Sequence, residues 1–328
     1  MTMTRRDPLH SAMAFALTGR GALALAAAPS RTRLVTPALA GASVTEAPDR
    51  FLDGLKAADR ARAQFAFDDD ERFHWHFIPL NENSTKTSSR RGVPLDDMTP
   101  QSKAAALDLM KSVGSPDGFK WCQTVMEREA ILAELEPQNA WFRKPGWYFV
   151  TIYGKPAATG QWGWRLDGHH LSASVTVVDG QIVSVSPFFI GLNPVTVMHG
   201  KRKGERNTIT PAEDLARELF RALDAEQQKV ALQPKHLPEV AGRTIAASTN
   251  LPLGLSVSKM TPDQQKRVIA LVAHYTGRTA TPLGRCRDGA NEEGGHRPLV
   301  VRIYGRAGTG QEAHLRGSGP SSVHSLHG

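Results

Sequence analysis

Four histidines carry the most obvious chemistry in this chain. His74 and His76 stand two residues apart, and His169 and His170 are adjacent. Imidazole is a general base near neutral pH and a common nitrogen ligand of transition metals. On an extended segment, a spacing of two places His74 and His76 on one face. Adjacent residues face apart unless a turn reorients them. If His76, His169 and His170 meet in space, they can hold zinc or a similar divalent transition metal and leave a position for water. As acid–base groups, His169 and His170 are the catalytic candidates. The other reading of His169 is a core imidazole bonded to a backbone carbonyl.

The aromatic residues suggest a binding surface. Trp162 and Trp164 share a face by the period of two of a strand, and Trp75 precedes His76. Exposed, these indoles form a platform for a sugar or another flat ligand; buried, they are core. Arg165 alternates with the tryptophans and is the candidate to orient an anionic substrate group, or else it forms a surface ion pair. Asp68-Asp69-Asp70-Glu71 reads as a solvated acidic turn, because a hard-cation loop spaces its oxygen ligands regularly. Ser172 and Ser174 lie near His170 without a Gly-x-Ser-x-Gly elbow, and no glycine-rich phosphate loop occurs.

These groups must be positioned by the elements around them. Apolar spacing predicts helices over 46–66, 99–113, 117–135, from Thr210-Pro211 past Leu223 towards Leu232, and from Thr261-Pro262 to Gly277. Three of these starts are Thr-Pro, in which Thr caps free amides and Pro at the first turn loses no hydrogen bond. Phe65 to Pro79 reads as extended, and Asn81 to Arg91 as a polar loop. Strand patterns run over Trp147–Tyr153, Gln161–Leu166, His169–Val178 and Gln181–Phe189. Asp167-Gly168 and Asp179-Gly180 between them are hairpin signals. Alternation then puts His169 with Leu171, Ala173, Val175 and Val177, and His170 with Ser172, Ser174 and Thr176. The fold class is α+β: an antiparallel meander sheet flanked by helices.

Charge and the amino terminus narrow the function classes. The net charge is +8, but residues 1–40 hold five arginines against Asp7, and residues 284–328 hold six against four acidic side chains. The middle is nearly neutral and has no concentrated basic stripe, so nucleic acid is not an expected partner. Cys122 and Cys286 do not make a disulfide framework. Arg5-Arg6, the Ala- and Leu-rich run Ser11–Ala28 and the small residues Ala38-Leu39-Ala40 occur in the order of a signal peptide. They resemble a twin-arginine export signal, which implies the twin-arginine machinery as partner and a periplasmic or secreted location. Pro8 and Arg20 depart from that pattern. Arg20 also disfavours a stable membrane span, since arginine at a membrane-helix centre costs about 2.5 kcal/mol or more. The alternative is an Ala-rich leader with no transport role.

The string Trp162-Gly163-Trp164-Arg165-Leu166-Asp167-Gly168-His169-His170-Leu171 resembles a bacterial family catalogued as domain-of-unknown-function family 3500. Trp75-His76-Phe77-Ile78-Pro79 with Arg91-Gly92, Tyr153-Gly154-Lys155-Pro156, and Pro187-Phe188-Phe189-Ile190-Gly191-Leu192-Asn193-Pro194 fit the same resemblance. It spans residues 50 to 283 and implies a fold and a site, but no activity. Such proteins usually close with Glu-Tyr-Asp-Asn and Asn-His-Ile-His-Ser segments, which this chain lacks. Residues 284–328 are instead rich in Gly, Arg, His and Ser, with no strand or helix period beyond Tyr304. Two explanations stand: a reading-frame error near residues 279–290, or a genuine disordered tail. The organisation read from sequence is a leader over 1–40, an α+β domain over 46–283 and this tail.

The functional expectations are three. The first is an exported metal-assisted hydrolase with its site at the Gly-His-His hairpin. The second is a non-catalytic periplasmic protein that binds a small-molecule ligand. The third is an inactive truncated product.

Overall fold

A computed structural model describes residues 44–206, 211–233, 254–280, 300–304 and 314–317. The leader over 1–40, Thr210, Cys286 and the segment 281–299 lie outside these residues.

Helices begin where capping chemistry favours them. Thr99 accepts from the Ser102 amide at 3.2 Å to start α3 (Pro100–Val113), and Ser115 accepts from Gly118 at 2.9 Å to start α4 (Pro116–Leu135). The stretch read as one helix over 46–66 is two, α1 (Glu46–Asp53) and α2 (Ala57–Ala63). The break falls at Gly54, where an added Cβ would meet the Ser102 hydroxyl at 2.4 Å. That hydroxyl donates to the Phe51 carbonyl at 3.0 Å, so α1 lies close against α3. The later helix likewise divides, into α5 (Pro211–Ala222) and α6 (Ala225–Ala231), because Asp224 caps a new start through a reciprocal capping box with Gln227. The last, α7 (Pro262–Thr276), matches its expected span.

The sheet is the expected meander with additions at one edge. Strands β5 (Phe149–Tyr153), β6 (Gln161–Gly168), β7 (Leu171–Val178) and β8 (Gln181–Ile190) pair antiparallel in sequence order. Two short strands extend the outer edge of β5: β1 (Gln64–Phe65) runs parallel to it and β4 (Val93–Pro94) antiparallel. A small hairpin of β2 (Asn81–Glu82) and β3 (Thr87–Ser88) forms in the region read as loop.

One hairpin is displaced from its sequence signal. Asp179 and Gly180 both take positive φ, as their turn requires. Asp167-Gly168 does not form the other turn. The ladder continues to the pair Gly168–Leu171, and His169 and His170 are the turn residues, with His170 at φ 56°. Glycine at 168 serves packing instead: an added Cβ would meet the Tyr148 ring at 2.5 Å. Neither histidine therefore belongs to the alternation of β7, in which Leu171, Ala173, Val175 and Val177 are buried on the core face.

Both faces of β6 are covered. Trp162, Trp164 and Leu166 enter the main core with Leu109, Val125 and Tyr148. The opposite face, carrying Arg165 and Asp167, is roofed by the segment after β1. That segment is not the continuous extended run expected for 65–79; it contains a 3-10 turn at Asp70–Phe73, and His74 and His76 lie on no strand. Trp75, Phe77 and Phe189 form a small separate cluster in the roof, the two phenyl rings stacked at 4.7 Å.

A second core lies among α5, α6 and α7, around Leu219, Val268 and Leu271. Beside it, β11 (Val300–Tyr304) pairs with β9 (Leu232–Gln233), β10 (Leu255–Ser256) and β12 (His314–Gly317). The strand at His314–Gly317 lies beyond Tyr304, where the sequence shows no strand period. Four residues are too few to show a period, and pairing with a neighbour defines the strand. Among the described residues, no helix is long and apolar enough to cross a membrane.

Candidate functional site

Helix α4 presents Cys122, Val125, Met126, Glu129 and Leu132 on its buried face, so Glu129 occupies a core position of the helical stripe. A carboxyl there needs a partner. It finds His169, the first residue of the displaced turn, with Glu129 Oε1 2.5 Å from His169 Nδ1. The turn is held by the Tyr148 hydroxyl, which donates to the His169 carbonyl at 2.9 Å. Arg143, in the loop after α4, closes the group. Its Nη1 lies 3.1 Å from His169 Nδ1 and 3.8 Å from Glu129 Oε2, and its Nη2 donates to Glu136 at 2.8 Å.

Glu129 and His169 Nδ1 share one proton across 2.5 Å. A guanidinium only donates, and Arg143 Nη1 stands 3.1 Å from Nδ1 and 3.4 Å from Nε2, close to both ring nitrogens. Burial pushes the Glu129 carboxyl up to about 8, although Arg143 pulls it down. Burial, then Arg143 and Arg90, push the His169 imidazole down to about 3. Both shifts favour a protonated carboxyl against a neutral imidazole at neutral pH, an arrangement in which the imidazole proton is on Nε2. Glu129 and Arg143 were absent from the sequence candidates. The legible signal was an ionisable residue on the apolar stripe of a helix, which demands a buried partner.

Beneath the roof lies a second charged group. Asp167 Oδ2 accepts from Arg90 Nη1 at 2.7 Å, and Arg165 Nε stands 3.5 Å from Asp167 Oδ1. Arg165 Nη2 pairs with Glu71 at 2.6 Å, and its Nη1 donates to the Glu71 carbonyl. Arg90 also donates to the carbonyls of His76 and Ile78. These four side chains fasten the roof segment to the sheet. Glu71 is therefore not part of a solvated acidic turn. Arg165 is 1% exposed and paired with Glu71 and Asp167, so it does not reach a substrate as expected. Trp162 and Trp164, 1% and 2% exposed, are core, and Trp75 is packed under the roof. None of these three offers the expected platform, because both faces of the sheet are covered.

The histidines only partly converge. His169 and His170 rings meet edge to face, with centroids 4.2 Å apart. His170 turns towards Phe77 and Gly191, where an added Cβ would meet its Nδ1 at 2.5 Å. The His76 carbonyl is bound by Arg90, and His74 is exposed beside Glu71 at 3.5 Å. Among the described residues, no group of three or more His, Cys, Asp or Glu side chains is placed to hold a metal ion, so the set of His76, His169 and His170 is not assembled. His169 and His170 pack ring against ring, while His76 is held in the roof through its backbone by Asp167 and Arg90.

His169 and Glu129 line a small, half-open recess with about 20 Å3 of enclosed space, room for about one water. Its walls include Asn81 and Ser88 from the small hairpin, Arg90 from the buried ion group, and Phe142, Lys144 and Trp147. Lys144 Nζ sits 4.5 Å from the centroid of Trp147. The recess thus combines one acid–base pair, a lysine and aromatic walls, and a ligand larger than water would rest across its opening.

Comparison with known proteins adds one finding. The model of a family described as protein of unknown function (DUF3500) matches residues 39–320, a span that includes most of the tail from 284. No curated protein and no solved structure matches the chain.

Proposed function

Because the chain belongs to the DUF3500 family of proteins of unknown function, we propose its chemistry from the site itself: a hydrolase of small anionic substrates that uses His169 as general acid, with Glu129 as its proton reservoir. The observation that carries this reading is the 2.5 Å contact between Glu129 and His169 at the wall of the recess. In the resting pair, His169 Nε2 bears a proton and Nδ1 faces the protonated carboxyl. As a scissile bond breaks, Nε2 gives its proton to the leaving oxygen and Nδ1 takes the proton of Glu129. Glu129 is left as a carboxylate beside Arg143, which stabilises it. Water supplies the hydroxyl to the other product, and its remaining proton returns to Glu129 through the imidazole. Lys144 is the recess cation that would orient an anionic group, the role first expected of Arg165.

Nitrogen NMR of the His169 imidazole tests the proton assignment. At pH 7 the ring should be neutral with the proton on Nε2, and should pass to the Nδ1–H tautomer as Glu129 ionises. An imidazolium at pH 7 would refute it. In a panel of alkyl esters and glycosides of small acids, any hydrolysis should fall about 10²–10⁴-fold in both His169→Ala and Glu129→Ala. Activity that survives both changes would assign the chemistry elsewhere.

Export belongs to the same proposal and rests on the Arg5-Arg6 leader and the Ala38-Leu39-Ala40 step. Replacing Arg5 and Arg6 together by lysine should shift the protein from periplasm to cytoplasm in fractionated cells. Unchanged fractionation would remove the twin-arginine route.

A further inference from the structure

Trp147 lines the edge of the recess and packs against Trp141 outside it. Trp141 and Trp147 are both half-buried, with centroids 6.0 Å apart and planes at 84°. Lys86, exposed at the tip of the β2–β3 hairpin, places Nζ 4.8 Å from the Trp141 centroid, and Lys144 does the same over Trp147 at 4.5 Å. Neither lysine has a carboxylate at ion-pair distance among the described residues. Asn81 adds an amide to the wall, whereas the Ser88 hydroxyl is engaged, donating to the Leu80 carbonyl at 2.9 Å and accepting from the Arg90 amide at 3.2 Å.

From this grouping we infer that the Trp141–Trp147 surface at the edge of the recess binds a sugar acid, a pyranose ring bearing a carboxylate. An indole face receives the C–H face of a pyranose, as it receives other weakly positive surfaces. An ammonium resting on an indole gains only about 0.5–1 kcal/mol at an exposed site. A carboxylate is a stronger partner for it than the ring. A bound uronate would therefore draw Lys144 or Lys86 off its indole and take its place there, with the Asn81 amide at the recess wall for the ring hydroxyls. A neutral sugar would leave the lysines in place, and a flat aromatic acid would make no use of Asn81.

The inference rests on the proposed site but concerns recognition, so binding and turnover are measured apart. Glucuronate, galacturonate and tetragalacturonate are titrated into the full chain by calorimetry and tryptophan fluorescence. Glucose, galactose and benzoate serve as comparisons. A uronate should bind and change the tryptophan emission, at least tenfold more tightly than its neutral sugar. Affinity should fall at least tenfold in Lys144→Met and in Trp147→Leu, each checked for folding by circular dichroism. If neither the monomeric uronates nor the oligomer binds at millimolar concentration, or if benzoate binds as tightly, the inference is overturned. The acid–base reading would survive that result if the His169 tautomer is as described. Conversely, uronate binding with an imidazolium at His169 would keep the recognition and remove the acid–base reading.

Discussion

Replacing Asp167 by alanine should destabilise the protein by about 3–5 kcal/mol, because it leaves buried charge without its counter-charge. Asp167 stands between Arg90 and Arg165, with side chains 4% and 2% exposed. Glu71 reaches Arg165 only, so Arg90 would keep its backbone carbonyls and lose its carboxylate. Burial already weakens the hold of Arg90 on its proton, and Asp167 offsets this. The expected loss is that of breaking one partner of the group; it does not measure the net worth of the ion pairs against an apolar replacement. A second consequence is local. The carbonyls of His76 and Ile78 are bound through Arg90, so the roof should loosen and the segment 74–80 should become sensitive to protease. Urea unfolding and limited proteolysis measure both. A loss below about 1 kcal/mol, with the segment still protected, would mean that the roof is held chiefly by Trp75 and Phe77.

Glu129→Gln should change how stability depends on pH more than it changes stability itself. A carboxyl raised from 4.5 to about 8 stabilises the fold fully below the unfolded value. That contribution is lost as pH rises towards the folded value, because the unfolded chain ionises first. Between about pH 5 and 8.5 the native protein should lose about 2–4 kcal/mol relative to the variant, with some water access to the recess allowed for. Glutamine can still donate to His169 Nδ1, so the contact is kept and only the titration is removed. His169 acts in the other direction: its depressed value means stability is lost as pH falls below 6.5 towards about 3. That acid limb should remain in the variant. If the stability difference between native and variant protein is the same across this range, the proton does not sit on Glu129.

The sequence by itself determined the framework. Capping residues set the starts of α3, α4 and α7, and alternation set β5 through β8, because helix starts and strand faces are local physics. Asp179-Gly180 formed its turn because both residues tolerate positive φ. The prominence of His169 was also legible, as a histidine beside a predicted turn.

The tertiary structure decided the rest. Gly168 was read as a turn glycine, yet the Tyr148 ring requires it, and that contact comes from the residue just before β5. Arg165 and the tryptophans looked available because one face of an antiparallel sheet is often wet. The roof over β6 dried both faces and turned Arg165 into a partner of Glu71 and Asp167. The pairing of His169 with Glu129 spans 40 residues and depends on where α4 packs against the turn. Local periodicity gives the face a residue occupies, but not what covers that face. The fold was therefore readable from neighbouring residues, whereas the site required contacts between residues far apart in the chain.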